Sequence, residues 1–444
     1  MENLRSVSFQ IIKAALGAVN GYRVVCAHLA LERHSLLLKT GQSFKRFDLK
    51  RYKSIVVLGA GKASAPMAAA CETVLKNRIH AGLIVTKYGH TSPLTVVQTI
   101  EAGHPVPDRA GYDGAKKMIS LLRACRGDDL IIFLTSGGAS AMLPHPTSSI
   151  SLAEKQKMTR LLLQRGLPIE EINRIRKHIS LTKGGQLARW AYPATVIHLI
   201  LSDVIGDSLE TIGSGPFSPD SSTFRDAWEV IEKYRLEKTV PGSISRHLKM
   251  GLKREVEDTP KRGDPCFKKV SQVIVANNTL ALRAARKKAE VLGCKTIILS
   301  SEIQGEARDL AGFYGAIVRE VVKTNQAAQR PVCLLAGGEP TVTVTGKGVG
   351  GRNMELALAM AKEIRGLPQV LFLSIGTDGT DGPTDAAGAV VTGSTYDRAL
   401  KKGFSPEGFL KENDSHTFFI KCGGLIKTGP TGTNVMDLHI CLVR

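Results

Sequence analysis

The chain has 444 residues, 43% of them hydrophobic, with a formal net charge of +20. That length exceeds what one hydrophobic core serves, so two domains are predicted, and no apolar stretch approaches the roughly 20 residues needed to cross a bilayer. The eight cysteines form no CxxC pair and several lie in apolar runs, a pattern of reduced, buried thiols in a cytoplasmic protein rather than of disulfides or a zinc site.

The first nineteen residues have apolar positions at helical spacing and neither a long apolar core nor an A-x-A site, so they read as an ordinary first helix rather than a signal peptide. Residues 44–53 hold Lys45, Arg46, Lys50, Arg51 and Lys53 among Phe44, Phe47 and Tyr52, a pattern able to touch a phosphate backbone. The positive excess is otherwise spread along the chain without long like-charged blocks, and anionic small substrates favour it equally, so nucleic acid is not predicted as a partner.

Residues 54–58 form a strand-like apolar run that breaks into Gly59, Gly61 and Lys62 and enters an Ala-rich segment of helical propensity. Such a strand, turn and helix start leaves N–H groups at the positive end of a helix dipole, where Lys62 adds a full charge, and predicts phosphate contact. It is neither standard fingerprint, because Ser64 replaces the third glycine of GxGxxG, and the first glycine and post-lysine hydroxyl of a P-loop are missing.

Strand-like and helix-like segments then alternate, which predicts α/β architecture with largely parallel strands. Strands are expected at 54–58, 82–86, 130–135, 195–202, 273–276, 296–299, 332–336 and 370–375, and long helices at 110–125, 153–165, 280–292 and 307–324. The charged, Pro-containing segment 249–268 reads as the interdomain connection, giving domains of 1–255 and 256–444. No internal repeat is apparent, so a solenoid is not expected.

In open α/β sheets ligands sit beyond the carboxyl ends of strands, which directs attention to the loops there. Ser136, Gly137, Gly138 and Ser140 follow the strand at 130–135 and can surround an anion with N–H and O–H donors. Asp203 and Asp207 open a long Gly/Pro-rich loop after 195–201, and carboxylates there suit Mg²⁺ or proton abstraction from a hydroxyl, with helix capping as the plain alternative. In the run 173–185, Arg174, Lys177 and His178 share a helix face, with Lys183 beyond, and either clamp an anion or form a solvated basic surface.

In the second half, Glu339 follows two glycines after the strand at 332–336, and Gly351 leads into a helix whose first turn carries Arg352 and Asn353. The helix dipole disfavours an arginine there, so Arg352 reads as needed for an anion. Asp378, Asp381 and Asp385 lie in a glycine-rich loop after 370–375, with Asp378 a further metal candidate. A turn- and hydroxyl-rich stretch at 428–438 precedes a closing strand. Taken jointly, these loops predict phosphoryl transfer with a metal.

The same residues resemble the glycerate 2-kinases of the MOFRL type, a family to which some proteins labelled hydroxypyruvate reductase also belong. The matching motifs are GAGKAS at Gly59, TSGGASA at Thr135, NRIRKHIS at Asn173, SDVIGDSLETIGSGP at Ser202, GEAR at Gly305, GGEPTVTV at Gly337, GGRNMELAL at Gly350, GTDGTDGPTDAAGA at Gly376 and TGPTGTN at Thr428. The resemblance implies ATP-dependent phosphorylation of D-glycerate at its 2-hydroxyl with a divalent cation. It implies two α/β domains, the first a Rossmann-like αβα sandwich and the second the MOFRL-type domain, with the active site in the cleft between them and a monomeric or homodimeric state. The family's cleft lysine falls on Lys62 and its cleft arginine on Arg352. Met354 departs from the usual glutamine and Ile205 from the usual proline, and neither removes a charge. The first alternative is a nicotinamide-dependent hydroxypyruvate reductase, against which stand Ser64 and the lack of an acidic residue about 20 positions on; the second is a basic nucleic-acid-binding protein, against which stands an aromatic content of only 5%.

Overall fold

The computed structural model describes residues 3–325 and 327–444. It divides into two compact units, Gly21–Val275 and, as the other, Ala276–Arg444 with the segment through Asn20.

In the unit Gly21–Val275, alternating strands and helices build one six-stranded sheet. The strands in chain order are β1 (Leu29–Glu32), β2 (Ser35–Thr40), β3 (Ser43–Asp48), β4 (Ser54–Ala60), β5 (Ala81–Lys87), β6 (Gln98–Ala102), β7 (Asp129–Thr135), β8 (Thr195–Leu201) and β9 (Val270–Ala276). The main sheet runs β6-β5-β4-β7-β8-β9, and its first four pairings, from β6 to β8, are parallel. Every residue of β7 is buried, as expected of a central parallel strand covered on both faces. Parallel pairing sets Ala60 opposite Thr135, so the loops after β4 and β7 emerge side by side. A further group of helices, Leu152–Gln164, Ile169–His178, Phe224–Lys233 and Gly242–Leu252, shares a core that includes Met158, Leu162, Ile175, Ile231 and Leu248.

The other unit has β10 (Lys295–Ile303), β11 (Val332–Gly338), β12 (Val370–Gly376), β13 (Gly388–Thr392), β14 (Leu425–Ile426) and β15 (Asp437–Val443), in the order β10-β11-β15-β12-β13-β14. Here the expectation of largely parallel strands is corrected: only β10 and β11 pair in parallel, and the rest are antiparallel. The cause is β15, which returns from the end of the chain and inserts between β11 and β12, setting Asp437 opposite both Gly338 and Gly376.

Two other expectations change. The division at 255/256 gives way to one at 275/276, with the helix Leu4–Ala18 packed on the helix Asn278–Val291. Residues 249–268 are no loose connection either. Their charges are tied into the first unit, where His178 Nε2 meets Asp258 Oδ1 at 3.0 Å and Thr259 Oγ1 donates to Asp220 Oδ2 at 2.9 Å. The basic, aromatic stretch 44–53 begins as β3 of a separate meander β1-β2-β3, in which Arg46 pairs with Glu32 and Phe47 is buried. All eight cysteines are free thiols, and no described helix is long and apolar enough to cross a membrane.

Candidate active site

The turn after β4 differs from the sequence expectation in one respect that matters chemically. Its N–H groups are already paired: Gly61 N donates to Val85 O at 3.0 Å, Lys62 N to Gly137 O at 2.9 Å and Ala63 N to Ser136 Oγ at 2.9 Å. The turn is stitched to its neighbours, so its own amides form no cradle for an anion. Gly59 and Gly61 have packing reasons to be glycine. A Cβ on Gly59 would press on Leu134, and one on Gly61, at φ +124°, would collide with Ser136 O and Oγ. In the next loop the backbone N–H groups of Gly137 and Gly138 find no partner among the described residues. Ser136 is buried beneath the turn, and Ser140 Oγ lies 3.0 Å from Ser214 Oγ, which in turn donates to Asn173 Oδ1 at 3.2 Å.

Asp203 and Asp207 are partly exposed in the loop that leaves β8. Among the described residues no three His, Cys, Asp or Glu side chains form a metal-holding group. Mg²⁺ needs only one or two hard protein carboxylates beside waters and substrate phosphates, so the oxygen donors of Asp203 and Asp207 fit that ion. Asp378 is nearly buried, and its Oδ1 accepts from Thr380 N at 2.9 Å, which binds it to the turn of its own loop.

Within the run 173–185, Arg174, Lys177 and His178 do not converge on one anion. Arg174 is exposed, Lys177 Nζ lies 3.0 Å from Asp220 Oδ1, and His178 pairs with Asp258. Burial works against ionisation of Asp220, yet Lys177 and His178 hold its carboxyl below the usual range. Another face of that helix carries Asn173 and Arg176, and Arg176 is close enough to act electrostatically on Lys183 and on a lysine that sequence reasoning missed, Lys155. Lys155 is 4% exposed on the helix Leu152–Gln164. The available signal was its spacing with buried Met158 and Leu162, which places a lysine on an apolar stripe.

In the other unit the candidate residues gather where β11 and β12 end and β15 begins. Arg352 stands at the start of the helix Arg352–Glu363, and Nε and Nη2 of its guanidinium grip Asp437 at 2.6 and 3.0 Å. Nη1 donates to Glu339 Oε1 at 2.6 Å. A cation at the positive end of a helix is thus compensated by two carboxylates. Burial opposes the charge on Arg352, but Asp437 and Glu339 more than offset it and push its pKa above the ordinary arginine range. By count, two of the five guanidinium N–H groups remain for a ligand.

The supporting residues are close around it. Asn278 Nδ2 donates to Val435 O and Asp437 O at 2.8 and 2.9 Å. Asp381 caps the helix by accepting from Asn353 N and Met354 N at 3.1 and 2.8 Å, while burial pushes its carboxyl up to about 7. Gly351 is glycine because a Cβ there would collide with Asp381. Asn353 lies beneath the arginine, its Oδ1 accepting from Ser374 Oγ at 2.6 Å.

Glycine-rich loops follow strands of both units, with Lys62 on one of them and the carboxylate-held Arg352 at the start of a helix, an arrangement of the kind found in α/β enzymes that act on anions. Comparison with known proteins sharpens this. The family described as a domain of unknown function, DUF4147, matches residues 7–249, and the MOFRL family matches residues 332–437. A protein of Pyrococcus horikoshii named glycerate 2-kinase is 40% identical over 442 residues, covering 99% of this chain and 98% of that protein. Human glycerate kinase is 37% identical, covering 98% and 92%. The crystal structure of glycerate kinase from Thermotoga maritima superposes with a TM-score of 0.84 at 38% identity, covering 99% of each chain. The chain belongs to the glycerate kinases of the MOFRL family.

Proposed function

We infer that this chain transfers the terminal phosphoryl group of ATP to the 2-hydroxyl of D-glycerate, giving 2-phosphoglycerate and ADP. The observation that carries the reading is similarity along the whole chain to proteins named glycerate 2-kinase from Pyrococcus horikoshii and Thermotoga maritima. The charge distribution of the loops supports it.

Phosphoryl transfer asks a protein mainly for positioning and for neutralisation of charge on the moving group. In this reading Lys62 neutralises the transferring phosphoryl group, with the free N–H groups of Gly137 and Gly138 as further donors. Arg352, aligned by Asp437 and Glu339, uses its remaining N–H groups on the substrate carboxylate or the phosphoryl oxygens. Asp203 or Asp207 accepts the 2-hydroxyl proton or holds a divalent cation. When bound, that cation would draw charge from the phosphate oxygens. The reductase alternative loses its main support, because the amides at Gly61, Lys62 and Ala63 that would hold a dinucleotide pyrophosphate are paired within the protein.

Lys62→Ala and Arg352→Lys test the assignment. Loss of one transition-state donor costs roughly 10²–10³ in kcat, so both variants should fall by about that factor with unchanged circular dichroism. Arg352→Lys keeps the charge and loses the two-point grip on Asp437, so wild-type turnover by that variant would rule out the arginine's role.

A further inference from the structure

Three cations of the first unit lie in the interior without a carboxylate among them. Lys155 and Lys183 are 4% and 2% exposed, and Arg176 is half-buried. Lys155 Nζ donates to Ser180 Oγ at 3.1 Å and Lys183 Nζ to Ser140 O at 2.6 Å. Among the described residues none of the three forms an ion pair, and the Arg176 guanidinium has no hydrogen-bond partner. Carboxylates are at hand in the same region, yet they serve the neighbouring residues: Asp220 goes to Lys177 and Asp258 to His178.

The three charges act on one another. Burial brings Lys155 down to about 7, with Arg176 contributing, and holds Lys183 well below the ordinary lysine range, with Lys155 and Arg176 contributing. A buried charge is kept only with a partner and is otherwise shed by a pKa shift, so these lysines are held ready to take up a proton when an anion from outside the chain arrives as that partner. Two ammonium groups and a planar guanidinium fork match the several oxygens and multiple charge of a tetrahedral phosphate better than the single charge of a carboxylate.

The location agrees with the chemistry. Ser140, whose carbonyl seats Lys183, ends the loop whose Gly137 O and Ser136 Oγ hold the backbone of Lys62 and Ala63. Ser214, bonded to Ser140 and Asn173, ties that loop to the helix that carries Arg176.

We propose that Lys155, Arg176 and Lys183 form a binding pocket for a phosphoryl group, either of the nucleotide polyphosphate or of the phosphorylated acid. The proposal rests on the kinase reading and adds to it the residues that bind the phosphoryl anion.

The test is calorimetric titration of the full chain, wild type, Lys155→Met and Arg176→Met, with ADP, 2-phosphoglycerate and D-glycerate at pH 8. Loss of a charged donor should weaken ADP, 2-phosphoglycerate or both by about tenfold or more, while D-glycerate changes less than about twofold. Weakening of ADP alone assigns the pocket to the nucleotide, and of 2-phosphoglycerate alone to the transferred group. Weakening of D-glycerate alone, or of no ligand, overturns the proposal. Wild type gives a second measurement that needs no variant. An anion raises the pKa of the lysines it meets, so phosphoryl binding should take up protons, seen as a binding enthalpy that changes with the ionisation enthalpy of the buffer. An enthalpy independent of buffer overturns the pocket. The kinase reading is judged separately, by wild-type turnover of ATP and D-glycerate: turnover with no effect at the three cations defeats only the pocket, and phosphoryl binding through them without turnover defeats only the kinase.

Discussion

Lys155 shows how a residue kept for a ligand costs the empty protein stability. Below about pH 7 its ammonium is charged in the folded and unfolded states alike, and folding bears the full cost of burying it beside Arg176 and Lys183, with His145 the other titratable neighbour. Between about 7 and its ordinary value of 10.5 the folded lysine sheds its proton while the unfolded one keeps it. The unfolded state then binds more protons, and stability rises with pH. Lys155→Met should therefore stabilise the ligand-free protein by roughly 1–3 kcal/mol at pH 6, with the gain shrinking toward pH 9, as thermal unfolding at the two values can measure. Destabilisation at both would identify the lysine as a structural part of the core. Lys62 and Arg352 were legible in the sequence because each sits beside glycines at a strand's end. Lys155 was not, because a lysine on an amphipathic helix looks solvated until the fold turns that face inward. Arg176 was missed by choice of face, the spacing of Arg174, Lys177 and His178 describing surface and ion-pair positions instead.

At the scale of elements, the turn after β4 behaves as a rivet between β5 and the loop after β7. Gly61 combines a φ of +124° with no room for a Cβ, whereas Gly89, at φ +75°, has nothing within 4 Å of an added Cβ. Gly61→Ala should thus cost strain and collision together, on the order of 3 kcal/mol or more, and displace Lys62, lowering kcat and the melting temperature in parallel. Gly89→Ala should cost only the left-handed strain, about 1 kcal/mol, with kcat kept. Equal effects in melting and kinetic assays would contradict the stitched turn. The strand runs at 54–58, 130–135 and 332–336 stood out in the sequence because both faces are buried and the residues read as continuous apolar blocks. The meander β1 to β3 was not legible, since Arg46, Phe44 and Lys45 on its exposed strand mimic a basic loop. The insertion of β15 between β11 and β12 is a long-range pairing that no local pattern encodes, and it brings Asp437 to Arg352 from 85 residues away.

For the molecule as a whole, alternation of strand and helix predicted α/β units correctly but said nothing of strand direction in the second, where the chain's end closes the sheet. The division at 275/276 was hidden for a related reason: Leu4–Ala18 packs on a helix more than 250 positions away, a contact made by tertiary packing alone. The charge of +20 reads differently once the structure is in view, because part of it is buried cation without carboxylate partners, as expected of a protein whose ligands are anions. The most direct measurement is the reaction of the purified full chain with D-glycerate, ATP and Mg²⁺, the product identified by NMR, with hydroxypyruvate and NADH or NADPH in parallel. The account predicts 2-phosphoglycerate and ADP in equal amounts and no oxidation of the nicotinamide. Formation of 3-phosphoglycerate, or nicotinamide oxidation without phosphorylation, would contradict it.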